Sequence, residues 1–176
     1  MRMELRISEV GRPGPRFLKG FAARMRRSDA LEVLGAAGVP RAGLAAHLAR
    51  EIEAAARRGG CTWAVMDGPR PLALFGAVPD SATARSARIW MLAANEAQRR
   101  PLAFARWSRR CLRLVMEALP ETESFYNCAP AADGRQRAWL EWLGAWFSAQ
   151  GRGSFVSPWT GDAFSMFVIQ REDAHV

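Results

Sequence analysis

Lysine is almost missing from this 176-residue chain: Lys19 is the single one among 25 basic residues, so arginine carries nearly all of the positive charge. Histidine occurs twice, tyrosine once and cysteine three times. Each scarcity excludes something. His47 and His175 stand apart and form no metal-binding cluster, so no metal site is expected. Cys61, Cys111 and Cys128 are odd in number, widely spaced and without a C-x-x-C pair, which argues against a disulfide framework and a zinc site and for a reducing compartment. There is no G-x-S-x-G and no Walker loop, hence no nucleophile elbow and no nucleotide-triphosphate cradle. The longest apolar stretch, LALFGAV at 72–78, is too short to cross a bilayer, and no apolar signal core opens the chain. A soluble protein without a membrane segment is expected.

What is present is a normal supply of core. The chain is 49% hydrophobic with seven tryptophans, enough for one folded domain over residues 1–176 that needs no disulfide or metal. Its net charge of +8 favours phosphate-rich or acidic partners, because guanidinium groups grip phosphate in a forked geometry. An arginine- and alanine-rich composition is also what GC-rich coding writes on any solvated surface. Composition leaves both readings open.

Periodicity supplies the elements. Residues 3–10 alternate as a half-buried strand, and GRPGP ends it. Phe17, Leu18, Phe21 and Met25 share one face of a helix over 15–27. In SDALEVLGAAG, Ser28 or Asp29 is placed to cap a further helical turn, with Gly38 ending it. Leu44, Leu48 and Ile52 mark an amphipathic helix over 41–57. The pattern then switches to period two: CTWAVMDGPRPLALFGAVP reads as strand, Asp67-Gly68 turn, strand, and ARIWMLA as a third strand. The longest helix, 101–119, opens on Pro101 and buries Phe104, Trp107, Cys111, Val115 and Leu119. A short strand at 124–129, a short helix at 135–143 and a final strand at 164–169 complete the order. The fold class expected is α/β (α+β): a mixed, mainly antiparallel central sheet flanked by about four helices.

This order, with the segment DGRQRAWLEWLGAW, resembles the GNAT family of N-acetyltransferases. In that comparison Asp133 falls where the family usually has an asparagine, Leu140 where it has a tyrosine, and Gly144 on its glycine. The pieces MRRSDALEV, GVPRAGL, DGPRPLALFGAVP, IWMLA, FARWSRRCL, YNCAPAADGRQRAWLEWLGAWF and GDAFSMFV also resemble the internal virion protein A family of short-tailed bacteriophages, itself GNAT-like. That second resemblance implies a virion-associated or virion-assembly role, other virion proteins as partners, and the virion or host cytoplasm as location. It brings no established catalytic residue.

Acetyl transfer on such a scaffold asks for three things. A glycine-rich loop cradles the coenzyme A diphosphate on backbone N–H groups. The best register here is QRRPLA, where Gln98, Arg99, Arg100 and Ala103 are the cofactor-binding candidates, joined by Asp133 at the family's asparagine position, but Pro101 stands in place of the first glycine and has no N–H to offer. Next, a general acid protonates the leaving thiolate. Leu140 cannot, which leaves Tyr126 as the candidate, against its plainer role as a strand tyrosine bonded to a neighbour. Last, a base takes the amine proton. Glu32 and Asp29 lie in the region that forms the acceptor side of GNAT proteins, against the plainer reading that Asp29 caps a helix and Glu32 pairs with an arginine. The sequence therefore favours a scaffold that performs no acetyl transfer and has no cofactor, with acetyl-CoA and N-acetyltransferase activity as the alternative.

Two surfaces complete the sequence picture. Trp139, Trp142, Leu143 and Trp146 follow helical spacing, and Trp139, Leu143 and Trp146 are expected in the core. Arg106, Arg109, Arg110 and Arg113 recur at spacings of three and four, a basic face for a partner or for non-specific contacts to nucleic acid.

Overall fold

The computed structural model describes residues 5–11, 13–81, 83–99, 101–148 and 153–176. In chain order the elements are β1 (Leu5–Glu9), α1 (Pro15–Arg24), α2 (Arg27–Ala37), α3 (Leu44–Arg57), β2 (Cys61–Asp67), β3 (Arg70–Pro79), β4 (Ser86–Ala93), α4 (Pro101–Ala118), β5 (Ser124–Pro130), α5 (Gly134–Trp142), β6 (Ala145–Phe147), β7 (Phe155–Val156) and β8 (Ala163–Gln170), with short 3-10 turns between some of them. The strands form one sheet in the order β1-β2-β3-β4-β5-β8-β6, with β7 paired to β8. Every pairing is antiparallel except β4 with β5.

Helices cover both faces of the first half of the sheet, so β3 is buried from Pro71 to Pro79 instead of alternating. On one face Leu18 and Phe21 of α1, Met25 just after it, and Leu44, Leu48 and Ile52 of α3 pack on Ala64, Leu74 and Leu92. On the other, Trp107, Cys111 and Val115 of α4 pack on Val65, Phe75, Phe125 and Ile169. The expected mixed, mainly antiparallel sheet is present. The described residues hold five α-helices, in keeping with the expected flanking helices, and the segment around SDALEVLGAAG forms a full helix of 11 residues, Arg27–Ala37. Gly38, at φ 66°, closes it, and a side chain there would also collide with the Trp159 ring.

The tryptophan segment divides differently from its spacing. α5 ends at Trp142, and Gly144, at φ 99°, turns the chain into β6. Its Cα lies so close to the backbone of Asp173 that a Cβ would meet the carbonyl oxygen at 2.3 Å. Past that turn the period is two, not 3.6, so Trp146 faces outward and is 47% exposed rather than buried. Leu143 is buried as expected, Trp139 is half-buried and Trp142 is exposed.

Candidate active site at the parting of two strands

β4 and β5 pair for three residues only, from Ser86 opposite Ser124 to Arg88 opposite Tyr126. The next ladder bond would join the Cys128 N–H to the Ile89 carbonyl. Asn127 inserts its side-chain amide there instead: Nδ2 donates to the Ile89 carbonyl at 2.7 Å and Oδ1 accepts from the Cys128 N–H at 2.8 Å. One step further the register would call on residue 130 as donor, and Pro130 has no N–H. The two strands therefore part.

Beyond the parting, β4 exposes an edge. Its far end is taken by the start of α2, where the Ala93 N–H donates to Asp29 Oδ2 at 2.6 Å and the Ala93 carbonyl accepts from the Arg26 N–H at 2.8 Å. Alternation puts the N–H and carbonyl of Met91 on the same edge, between these two attachments, and they find no partner among the described residues. Behind the edge lies a cavity of about 60 Å³ between sheet, α4 and α5, lined by Phe75, Met91, Ser108, Cys111 and Trp139, with Glu32 and Gln136 at its rim. It is apolar and has room for a few water molecules or a small acyl group. Trp139 is held there by its indole N–H, which donates to Ser108 Oγ at 3.1 Å, and by the Phe104 ring.

Glu32 is the chemical centre of this region. It projects from α2 and its Oε2 accepts from Gln136 Nε2 at 2.9 Å. Gln136 is set in turn by Asp133, which caps α5 by accepting the N–H groups of Arg135 and Gln136. Glu32 and Gln136 also line an open trough of about 650 Å³ on the outer surface, together with Leu31, Asp133, Asp162 and Phe164. The Glu32–Gln136 bond thus stands between the trough and the cavity. Burial pushes the Glu32 carboxyl up to about 7, the Gln136 bond opposes this, and the charge of Asp29 adds to it.

Asp29, one turn earlier, has a different office. It is buried and neither caps α2 nor faces the trough, as it ion-pairs with Arg26 at 2.8 Å and accepts from Ala93 and Ser28. Burial raises its pKa against the opposing pull of Arg26. Among the described residues Glu32 forms no ion pair with an arginine either, so the plainer sequence reading of both carboxylates is corrected. Tyr126 does not reach the cavity. It lies at the paired end of β4 and β5, on the opposite sheet face from Phe125, where its hydroxyl donates to Asp80. Burial, the Asp80 bond and the Asp80 charge hold its pKa at about 12. Leu140 is buried in the core beside α4.

The loop after β4 is a 3-10 turn over Asn95–Arg99, in which Gln98 and Arg99 are exposed. Arg100 lies outside the described residues. α4 begins at Pro101, and Ala103 is half-buried against the core. The first-turn N–H groups of Leu102, Ala103 and Phe104 have no intrahelical partner, so a reduced anion cradle remains without the proline's N–H. What sequence reasoning missed is the Asn127 wedge, the Gln136 partner and the Met91 edge. The Asn-x-x-Pro of NCAP, with an amide to insert and a donor missing three residues on, is the one signal that could have shown the parting.

Among solved structures, the chain superposes on spermidine N-acetyltransferase from Vibrio cholerae in complex with CoA and spermine with a TM-score of 0.69 at 15% identity, over 96% of this chain and 96% of that one. An acetyltransferase from Streptococcus agalactiae gives 0.68 at 11% identity, over 94% and 98% of the two chains. The fold is that of the GNAT acetyltransferases. AAC(6')-Ib in complex with ribostamycin and coenzyme A shares the same GNAT scaffold, with a TM-score of 0.65 at 15% identity over 96% and 94% of the chains. No protein-family model matches the chain, and no curated protein is similar to it in sequence. Among the described residues no group of histidine, cysteine and carboxylate side chains is placed to hold a metal, and no helix is long and apolar enough to cross a membrane.

Proposed function

We propose that this protein is an acyl-CoA-dependent N-acyltransferase in which Glu32 is the general base. The observation that carries the reading is a carboxyl with a pKa of about 7, set on the boundary between an outer trough and a cavity at the parting of β4 and β5. A base of that strength takes a proton from an amine near neutral pH and releases it again to solvent. The GNAT scaffold supports the same reading, since relatives with this fold hold CoA.

The residues present fit an acyl thioester in part. Met91 offers one N–H and one carbonyl on the open edge of β4, the cavity has room for a small acyl group, and the α4 N-terminus with exposed Arg99 offers positive potential to a diphosphate. When bound, the thioester supplies the electrophilic carbonyl. Glu32 accepts the proton of an amine entering by the trough, and Gln136 holds the carboxylate in place. Leu140 stands where the family's tyrosine would and has no proton to give, so the proton for the departing thiolate comes from water. Titration calorimetry with acetyl-CoA, followed by thiol release with amine acceptors across pH, tests the proposal. Binding tighter than about 1 mM, and turnover that rises through pH 7 and vanishes in Glu32→Gln while binding persists, are the expected results. Wild-type protein that binds no acetyl-CoA overturns it.

A second reading is favoured by Pro101 in the cradle and Leu140 in the acid's place: a GNAT scaffold without transfer, serving as a virion-associated or assembly protein in a phage. Mass spectrometry of purified particles tests that role directly.

A further inference from the structure

The side of α4 that faces away from the cavity carries a cluster of positive charge. Arg106, Arg109, Arg110 and Arg113 line an open depression of about 450 Å³, joined only by Leu114 and Glu117. Ion pairs among the described residues engage Arg24, Arg26, Arg57, Arg85, Arg88 and Arg137, and none of these four. Arg109 is pinned. Its guanidinium lies 3.8 Å from the centroid of the Trp142 ring, and its Nε is buried without a partner. Four like charges along two turns, spanning roughly 10 Å of helix axis, repel one another until something anionic lies against them.

We propose that this face of α4, with Trp142 beside it, docks nucleic acid through the phosphate backbone. Charge complementarity selects the occupant. A second copy of this chain also carries +8 and is repelled. A protein partner of ordinary kind needs an apolar centre, and the depression offers mainly the half-buried Leu114 with the rim of Trp142, which is 38% exposed. Guanidinium forks match phosphate oxygens in pairs, and a row of them needs no base contact to hold a strand. Binding is therefore expected to be independent of sequence. It does not depend on acyl transfer, since the cavity-lining residues of α4, Ser108, Cys111, Leu112 and Val115, are on its other side.

The test uses the full chain and a labelled single-stranded oligonucleotide of mixed sequence, followed by anisotropy from 50 to 200 mM salt. Four contacts give a slope of log affinity against log salt near roughly −3. The triple variant Arg106→Glu, Arg110→Glu, Arg113→Glu is expected to lose about tenfold or more in affinity and most of the slope. A control triple, Arg16→Glu, Arg27→Glu, Arg50→Glu, makes the same change in net charge at exposed sites elsewhere and is expected to lose much less. All six positions are solvent-facing, and circular dichroism confirms that both variants are folded. Equal losses in the two triples overturn the proposal, as does wild-type protein that fails to bind at 50 mM salt. Displacement by polyglutamate at the same charge concentration as by unlabelled oligonucleotide also overturns it, because the surface then takes any polyanion.

Discussion

The two ends of the β4/β5 junction are built from similar parts and do opposite things. At the paired end, Tyr126 and Ser86 both donate to Asp80, and Arg85 bridges to Glu123 across the strands. The ladder there is continuous from Ser86 to Arg88. At the open end the same two strands are held apart by Asn127 and Pro130, and the polar groups are shared thinly: one bond for Glu32, none for the Met91 edge. The difference teaches that a site is made here by withholding partners rather than by adding reactive residues. A carboxyl left with one amide donor beside an apolar cavity has its pKa raised to about 7, as the proposed base role requires, whereas Asp29, three residues earlier and surrounded by donors, serves as a rivet.

Four substitutions break or sharpen that contrast, and the largest effect belongs to the cavity wall. Trp139→Ala removes an indole packed between α4 and α5 and enlarges a void that already exists, so urea denaturation should show a loss of about 3 kcal/mol. A loss under about 1 kcal/mol would mean that the open end is not a packed structure at all. Next comes the rivet. Asp29→Asn leaves the Arg26 guanidinium without its carboxylate in a mostly buried setting, at a cost of about 2 kcal/mol, and loosens the start of α2 from β4. Hydrogen exchange at the Ala93 amide reads the loosening directly.

Glu32→Gln should act with the opposite sign. The folded-state pKa of Glu32 is raised, so the unfolded chain ionises first: its share of stability is whole below the ordinary glutamate value, declines as pH rises through about 7, and is a net cost above that. The variant is expected to be more stable than wild type by about 1–2 kcal/mol at pH 8, discounted for partial exposure, and equal to it at pH 4. A variant less stable at pH 8 would place Glu32 among the structural carboxylates. The smallest effect is at the sealed end. Tyr126→Phe removes one half-exposed hydroxyl bond, costs under about 1 kcal/mol, and leaves acetyl-CoA binding and turnover unchanged. A large loss of turnover with folding intact would reinstate Tyr126 as the acid.

The contrast also explains what could be read in the sequence. Helix faces such as Leu44, Leu48 and Ile52, the Asp67-Gly68 turn and the Gly38 stop are local signals, and each stands where its spacing put it. Trp146 misled because Gly144 changes the period from 3.6 to two within the motif, and a helical count carried across that glycine points to the wrong side. Glu32 was legible as a candidate, but not its environment. The donor that holds it, Gln136, lies 104 residues away, and the Asn127 amide reaches a strand 38 residues earlier. Partnerships of that range leave no periodicity in the chain. Asp29 and Asp133 show the converse limit: one was a candidate base and the other a candidate cofactor contact, and both are engaged by backbone N–H groups.

One junction carries a consequence for the order in which the molecule is made. β8, the last strand, lies inside the sheet between β5 and β6, and Arg171, immediately after it, donates to the carbonyls of Met116, Leu119 and Thr122, closing the end of α4. A nascent chain can form the β2–β4 meander and cover it with α1 and α3 early. It cannot finish α4, or give β5 and β6 a neighbour in common, until residues 163–171 arrive. The half that holds the cavity is therefore the half completed last, and a ribosome that stalls short of residue 164 leaves a stable-looking front with an unfinished, aggregation-prone back.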